Sequence, residues 1–290
     1  MADRARLLTV VAATALLLLA LARYGMIDTP AERTAIAPSE GAVARSATVI
    51  ALRLAGDDEP LEGRHRRTVT VIALRLAGDD EATAVRHWLR TQIAPPLELP
   101  EVRASALLYD LDEDPQDNGR LRVMPSARSV AKEHAGAPDG WREGRLWPAM
   151  RGLSPGLAGG LADLHNRYAA EPDLEALRAG RDFGPEPLGL EPADALKGDV
   201  ARTLFYMDVF YDGADGRPDL RLVARPTRAG EPLLGDVCAL LLWNEADPVD
   251  SAEHRRNEWI AKRQGNRNPF VDRPEFARLV WGPECGSTRP

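Results

Sequence analysis

The stretch that decides the fold lies near the carboxyl end and reads Gln264-Gly-Asn-Arg-Asn-Pro-Phe-Val-Asp272. Gly265 is the expected end of a helix, because glycine tolerates the left-handed backbone that closes many helices. The chain has six asparagines, and four of them fall between Asn244 and Asn268. We therefore expect Asn266 and Asn268 to cap or bridge backbone groups in a buried turn.

The residues before this stretch predict that the last third of the chain is mostly helical. Asp250-Ser-Ala-Glu253 resembles a capping box and predicts a helix through Arg263. Its side chains are expected to point in two directions, with Trp259 and Ile260 inward and Arg255, Arg256, Lys262 and Arg263 outward. Two further helices are indicated by a short apolar run at 236–244 and by one apolar stripe formed by Leu196, Val200, Leu204, Met207 and Tyr211.

Farther upstream the periodicity changes. Residues 81–93 have apolar side chains at helical spacing, and Pro95-Pro96 ends that helix. Residues 104–111 are strand-like, and the acidic stretch after them predicts a hairpin turn. Asp110, Asp112 and Asp114 imitate the start of a calcium loop, but Pro115 stands where such a loop needs glycine. A solvated turn is the preferred interpretation.

The amino-terminal part contains a signal-like segment and a repeated segment. Residues 1–22 hold two arginines, an apolar run and Ala20-Leu21-Ala22, a pattern typical of a secretory signal, with a single membrane anchor as the alternative. A linker is predicted at 23–46. The twelve residues TVIALRLAGDDE then occur twice, at 48–59 and 70–81, and each copy predicts a strand followed by a turn. We expect one copy to pack less well than the other.

Composition narrows the class of protein. The chain has 290 residues, 44% of them apolar, which is enough for one or two domains. A net charge of −7 argues against general coating of nucleic acid, although it permits a local basic groove. Cys238 and Cys285 cannot form a zinc ribbon, and after export they either form a disulfide or remain two buried thiols.

The carboxyl-terminal motifs together resemble the bacterial endonuclease I family of His-Me finger (ββα-metal) nucleases. Besides residues 264–272, the resemblance rests on ARTLFYM at 201–207, LLWN at 241–244, DPVD at 247–250 and EHRRN at 253–257. It implies an α+β fold: a small ββα element around residues 120–180 wrapped by carboxyl-terminal helices, with a strand-and-helix extension at 47–104 and the nuclease domain at 105–290.

The resemblance also implies a site with one divalent cation, a histidine that takes a proton from water, and a phosphate-binding arginine. Asp163-Leu-His165-Asn166 matches the family, and Glu175 aligns with its metal-binding asparagine. The Glu-His pair has two registers. Glu133-His134 preserves the chemistry, whereas Gly140-Trp-Arg-Glu-Gly-Arg-Leu-Trp-Pro148 preserves the surrounding phrase but puts Gly144 and Arg145 at the pair. Arginine is always cationic and cannot accept that proton.

The site expectations follow from these registers. The predicted catalytic residues are His134 and His165, the predicted metal ligands are Glu133 and Glu175, and the predicted phosphate-binding residues are Arg145 and Arg178. For His165 the alternative is a scaffold histidine that bonds a backbone carbonyl. Asp163 and Asp173 are the other carboxylates expected near a metal.

The resemblance predicts a secreted or periplasmic, monomeric endonuclease that cleaves DNA, and RNA as a second substrate, with low sequence preference. Its predicted cofactor is one Mg²⁺, with Mn²⁺ or Ca²⁺ as alternatives, and no integral membrane partner is expected. The other function considered is a nuclease scaffold that has lost its catalytic base and acts as a binding or structural protein.

Overall fold

A computed structural model describes residues 49–55, 68–74, 81–97, 99–153, 160–174, 177–178, 181–187 and 189–286. The chain divides into two units, residues 1–79 and 80–290, and the second begins before the predicted domain start at residue 105. The predicted signal at 1–22 and linker at 23–46 lie outside the described residues. Within the described part of the chain, no helix is long and apolar enough to cross a membrane.

The first unit contains a two-stranded antiparallel sheet built from the duplicated sequence. Strand β1 is Val49–Ala55 and strand β2 is Thr68–Leu74, which confirms the predicted strands. Val49 pairs with Leu74 and Leu52 pairs with Val71, so the two copies of the tetrapeptide VIAL lie opposite each other in a symmetric register. The two copies therefore pair with each other. The expected difference in their packing concerns side chains outside the described set.

The second unit mixes helices with small sheets, which makes its fold α+β as predicted. Its helices are α1 Glu81–Gln92, α2 Glu101–Leu111, α3 Lys197–Phe210, α4 Val237–Ala246, α5 Ser251–Gln264, α6 Pro269–Asp272 and α7 Phe276–Cys285. Its strands are β3 Glu113–Asp114, β4 Asp117–Val123, β5 Arg128–Ala131, β6 Arg142–Arg145, β7 Arg167–Ala170, β8 Arg221–Leu222 and β9 Leu233–Leu234.

Helix α3 lies at the centre of this unit. All but two of its residues are buried, where the sequence predicted only one apolar stripe. It packs against α4, α6 and α1, and the ring of Phe205 stacks on Trp281 of α7 with centroids 4.5 Å apart. Because apolar faces on several sides of α3 need covering, the neighbouring helices form a layer around it.

The helix ends near the carboxyl terminus follow the sequence closely. The Asp250 side chain accepts hydrogen bonds from the backbone N–H groups of Ala252 and Glu253, and Gly265 has φ +90° at the end of α5. The Asn268 side chain accepts a hydrogen bond from Phe270 N and caps α6. These caps satisfy backbone donors that have no partner inside a helix. The predicted roles of Asp250, Gly265 and Asn268 are confirmed.

Residues 104–111 are helical, and the predicted strand there was wrong. They belong to α2, in which Ala104, Leu108 and Leu111 are buried at positions i, i+4 and i+7. A short apolar run fits a strand or a helix equally well, and here the helical spacing of the buried residues decides. The hairpin predicted after it is present, since β3 pairs with β4 antiparallel around a turn at Pro115-Gln116.

The small sheets of the second unit meet beside the candidate site. Strands β3, β4 and β5 form an antiparallel sheet, and β6 pairs with β7 antiparallel, with Gly144 opposite Tyr168. A bridge between Met124 and Ala170 joins the two sheets. The antiparallel pair β6–β7 lies within residues 120–180, where the ββα element is predicted. The helix expected after β7 involves residues 175–176 and 179–180, which lie outside the described residues, so the complete element stays a prediction.

Cys238 in α4 and Cys285 in α7 form a disulfide with a Cα–Cα distance of 5.4 Å. Of the two states left open by the sequence, the structure contains the bonded one. The bond closes a loop between residues 47 positions apart. Closing a loop of that length removes conformational entropy from the unfolded chain worth about 4 kcal/mol.

We expect the double variant Cys238→Ser/Cys285→Ser to lose about 4 kcal/mol of unfolding free energy in the chain-entropy account. Chemical denaturation under non-reducing conditions measures the loss, and wild-type protein with a reductant should show the same reduced stability. A double variant within about 1 kcal/mol of the oxidised wild type would contradict the prediction.

Candidate functional site

A wholly buried polar network joins the Asp163-Leu-His165 motif to the Gln264-Gly-Asn266 motif. Asp163 is at its centre: Oδ2 accepts hydrogen bonds from the hydroxyls of Tyr206 at 2.7 Å and Tyr211 at 2.8 Å. Asp163 Oδ1 accepts from Gln264 Nε2 at 2.8 Å and from His165 N at 2.9 Å. Both carboxylate oxygens are therefore occupied, and the side chain is 2% exposed.

The asparagines of the signature complete this network. Asn266 Nδ2 donates to the Tyr206 hydroxyl at 2.8 Å, and its Oδ1 accepts from Gln264 Nε2 at 2.9 Å. Asn268 Nδ2 donates to the carbonyl of Arg202 at 2.9 Å, while its N–H donates to Asn257 Oδ1 at the same distance. These amides satisfy backbone and side-chain groups that burial would otherwise leave unpaired. The structural role expected for Asn268 is confirmed, whereas Asn266 is buried as expected but its side chain bonds Tyr206 and Gln264 side chains and not backbone groups.

His165 lies inside this network and is 3% exposed. Its Nε2 is 3.4 Å from the carbonyl oxygen of Asn266, and its ring is 4.5 Å from that of Tyr206. Burial lowers the pKa of His165 to about 4, with nearby Asp163 opposing the shift and Arg256 adding to it. The geometry fits the scaffold histidine that the sequence left as the alternative role.

The buried His165 predicts acid sensitivity. In the unfolded chain the imidazole takes up a proton near pH 6.5, whereas in the folded protein it resists until about pH 4. Stability is therefore complete above pH 6.5 and falls as the pH drops towards 4, by about 3 kcal/mol for this group. Urea unfolding across that range should show a smaller loss in His165→Gln than in wild type. Equal pH dependence in both proteins would rule the effect out.

The predicted pair Glu133-His134 occupies a 3-10 turn, Lys132–His134, directly after β5. Both side chains are exposed. The carbonyl oxygen of His134 accepts a hydrogen bond from Trp141 N at 3.3 Å, and Ala135 bridges to Trp141. The turn therefore lies beside the start of β6, and the imidazole of His134 is exposed to solvent.

The competing register, Gly144-Arg145, lies at the end of β6. A Cβ atom on Gly144 would stand 2.7 Å from Cβ of Ala170 and 3.4 Å from Cδ2 of Leu174. A glutamate at this position therefore requires the neighbouring strand β7 to move. The two strands therefore pack tightly at the position that this register assigns to the metal-binding carboxylate.

Arg145 is largely buried, and its Nε donates to the carbonyl of Leu161 at 3.1 Å. Its Nη2 lies 3.3 Å from Glu143 Oε1, an oxygen that also pairs with Arg167. Arg167 is fully buried and sits opposite Arg145 in the β6–β7 register. One carboxylate thus lies between two guanidinium groups. No sequence motif indicated Arg167, because its pairing becomes evident only once the strand register is known.

Arg178 is fully buried rather than part of an open groove. Its Nη2 donates to the carbonyl of Leu146 at 3.1 Å, a second nitrogen bonds the carbonyl of Arg181, and its guanidinium lies 3.8 Å over the ring of Phe183. These contacts hold the chain just after Arg145. The predicted phosphate contact of Arg178 stays a prediction. The described contacts of Arg178 stabilise the neighbouring backbone.

The described contacts of His134, His165 and Arg145 lead to different parts of the second unit, and Glu175 lies outside the described residues. Asp163 is buried in the polar network, whereas Asp173 is exposed on the surface. Among the described residues, no three His, Cys, Asp or Glu side chains come together in a group that holds a metal ion. The described side chains therefore form no donor set for a cation, and the register that places Gly144 and Arg145 at the pair would supply neither an acid nor a base.

Helix α5 contributes an arginine that sequence periodicity placed wrongly. Arg256 was expected to point outward, yet its Nε donates to Asp112 Oδ1 at 2.9 Å and its guanidinium lies 3.8 Å over the ring of Tyr168. Trp259, expected inward, is 39% exposed, while Ile260 is buried as predicted. A buried arginine is favourable only with a matched acceptor, and Asp112 lies 144 residues away in the sequence.

Comparison with known proteins agrees with the motifs. Residues 176–275 match the family described as Endonuclease I. The chain is 39% identical over 189 residues to an "Extracellular ribonuclease" of Bacillus amyloliquefaciens and 37% identical over 189 residues to one of Bacillus subtilis (strain 168). Each alignment covers 60% of this chain, and the aligned parts span 65% and 66% of the relatives, just under two thirds of their length. The resemblance seen in the sequence is confirmed.

Proposed function

Because residues 176–275 match the family described as Endonuclease I, we propose that this chain is a secreted nuclease that hydrolyses phosphodiester bonds within nucleic acid. The family match is the observation that carries the proposal. The buried network between Asp163 and Asn266 supports the family match, because its hydrogen bonds join two of the motifs that carry the resemblance.

RNA is the first substrate to test, and DNA is the second. Both relatives bear names that refer to RNA and to an extracellular location. The signal-like pattern at residues 1–22 and the disulfide between Cys238 and Cys285 fit an exported protein. Low sequence preference is part of the proposal, because phosphate contacts carry no base information.

We propose that His134 is the proton acceptor. It is exposed on a turn beside β6, so water and a phosphodiester can both approach its ring. A neutral imidazole takes a proton from the attacking water, whereas the buried His165 and the cationic Arg145 are unsuited to that task. Glu133, next to His134, is the matching acid in this register and is equally exposed.

The predicted divalent cation, Mg²⁺ before Mn²⁺ or Ca²⁺, stays part of the proposal without a described donor set. Glu133 and Glu175 are the oxygen donors predicted from the sequence. Gly144 leaves no space for a carboxylate, so the register that contains it supplies no oxygen donor for a cation.

Digestion of RNA and of plasmid DNA by the exported, purified protein tests the proposal. Parallel reactions with Mg²⁺, with Mn²⁺ and with EDTA separate nuclease activity from its cation dependence. We expect cleavage of RNA that increases with protein concentration, and loss of cleavage in EDTA if a cation takes part. No cleavage of either nucleic acid under any of these conditions would overturn the proposed activity.

A second candidate is the nuclease scaffold that has become a binding protein. The observation that favours it is the pair Gly144-Arg145, which cannot supply an acid and a base at the family position. Under this candidate the protein binds nucleic acid and leaves it intact in the same digestion reactions. Binding without cleavage therefore distinguishes the two candidates.

A further inference from the structure

Tyr109 on α2 is an exposed aromatic side chain beside the turn that carries Glu133 and His134. Tyr109 is 37% exposed, and its ring packs edge to face against the ring of Trp141, with centroids 5.1 Å apart. Trp141 itself is 4% exposed, and it packs in a core cluster with Leu121, Val130 and other residues of the sheet. A buried tryptophan thus holds a tyrosine in place at the surface.

The same tryptophan is fixed to the turn of the proposed proton acceptor. Trp141 Nε1 donates to the carbonyl of Lys132 at 3.2 Å, and Trp141 N donates to the carbonyl of His134 at 3.3 Å. The carbonyl of Trp141 in turn accepts from Gly136 N at 2.8 Å. One indole therefore separates the Tyr109 ring from the turn, and its position relative to that turn is well defined.

Two cationic residues belong to the segments that hold Trp141: Lys132, whose carbonyl accepts from the indole, and Arg142, which follows Trp141 in the chain. Arg142 is exposed, and its Nη2 donates to the carbonyl of Gly136 at 3.3 Å, just after the turn. Lys132 pairs with Glu113 at 2.6 Å, while Asp110 and Glu133 are exposed acids nearby in the sequence. Arg142 is the cation best placed for a phosphate, since its described partner is a neutral carbonyl. Surfaces that bind single-stranded nucleic acids combine exposed aromatic rings with cationic side chains that contact the phosphates.

We propose that Tyr109 stacks on a base of single-stranded nucleic acid and thereby positions the strand beside His134. The inference rests on the proposed function and adds a substrate class to it. A base can stack on a surface tyrosine only when it is free of its own neighbours, as in single strands, loops and ends. The bases of a duplex are stacked on one another, so duplex binding gains little from this ring.

Fluorescence anisotropy with a labelled, cleavage-resistant short RNA tests the assignment on the exported protein. We expect Tyr109→Ala to weaken single-strand binding about tenfold, as loss of one stacked base does. Tyr109→Phe keeps the ring and should bind within about twofold of wild type. Leu242→Ala removes an apolar side chain that is 50% exposed on α4 and is the matched control. In cleavage assays the Tyr109→Ala effect should fall on KM more than on kcat.

The outcomes separate this inference from the proposed function. Equal single-strand affinity of wild type and Tyr109→Ala would overturn the stacking role, and the nuclease proposal would stand if RNA is still cleaved. An equal loss of single-strand and duplex binding in Tyr109→Ala would also overturn it, because stacking predicts a selective loss. A wild-type protein that neither binds nor cleaves RNA would instead overturn the proposed function.

Discussion

Replacing Asp163 with alanine is expected to reduce the unfolding free energy by roughly 4 kcal/mol or more, because each of four buried donors left without an acceptor costs at least about 1 kcal/mol. The Asp163 carboxylate accepts hydrogen bonds from two tyrosine hydroxyls, one glutamine amide and one backbone N–H. Alanine leaves these four donors in a site closed to water. Urea unfolding followed by circular dichroism gives the difference directly.

Two variants make the Asp163 experiment specific. Asp163→Asn keeps one oxygen for Gln264 and the His165 N–H, and the tyrosine hydroxyls can rotate to accept from its amide, so we expect a loss of about 1–2 kcal/mol. Asp173→Ala removes an exposed carboxylate ten positions on and should change stability by less than about 0.5 kcal/mol. An Asp163→Ala protein within about 1 kcal/mol of wild type would contradict the central place given to this residue.

Replacing His134 with alanine is expected to lower the rate of RNA cleavage by about 10²–10⁴-fold, the usual contribution of a general base. Stability should be unchanged, because the side chain is exposed and the turn is held by backbone hydrogen bonds. Initial rates at saturating RNA, with unfolding curves recorded on the same samples, provide the measurement.

The matched control for His134 is His254, another exposed histidine, on α5. We expect His254→Ala to cleave at the wild-type rate. A His134→Ala protein with the wild-type rate would assign the proton acceptor elsewhere and would leave the register of the Glu-His pair to be decided again.

Helix ends and short strands were predicted correctly where they depend on interactions between residues close in the sequence. The capping aspartate Asp250, the helix-closing Gly265 and the cap Asn268 act on backbone groups within four residues of themselves. Propensity and capping rules describe such short-range interactions well. The same holds for the two strands of the duplicated segment, whose β-branched and apolar residues indicated extended structure.

Features that depend on distant partners could not be predicted in the same way. The Arg256 side chain is largely buried because it donates a hydrogen bond to Asp112 and lies over the ring of Tyr168. Neither residue is a neighbour in the sequence. The short apolar run of helix α2 fits a strand as well as a helix, and only its buried face distinguishes the two. No sequence pattern identified Tyr109 as a candidate binding residue, because its proposed role depends on its contact with Trp141 and on the bond from Trp141 to the turn.

The candidate site shows the same division. The sequence identified the two possible registers of the Glu-His pair, and the structure adds the reason why Gly144 leaves no room for a longer side chain. His165, one of two predicted catalytic histidines, is enclosed by the network around Asp163 and Asn266. Burial of a single histidine depends on the whole arrangement of α3 and α5, which no local motif encodes.

The proposal that this chain cleaves nucleic acid internally is tested most directly on a circular single-stranded RNA. A circle has no ends, so the first cut converts it to a linear strand, and only an endonuclease makes that cut. We predict that linear RNA accumulates in proportion to the purified wild-type protein and that His134→Ala forms it far more slowly. A circle that stays intact at every protein concentration, while the protein remains bound to it, would contradict the account and identify a binding protein on a nuclease scaffold.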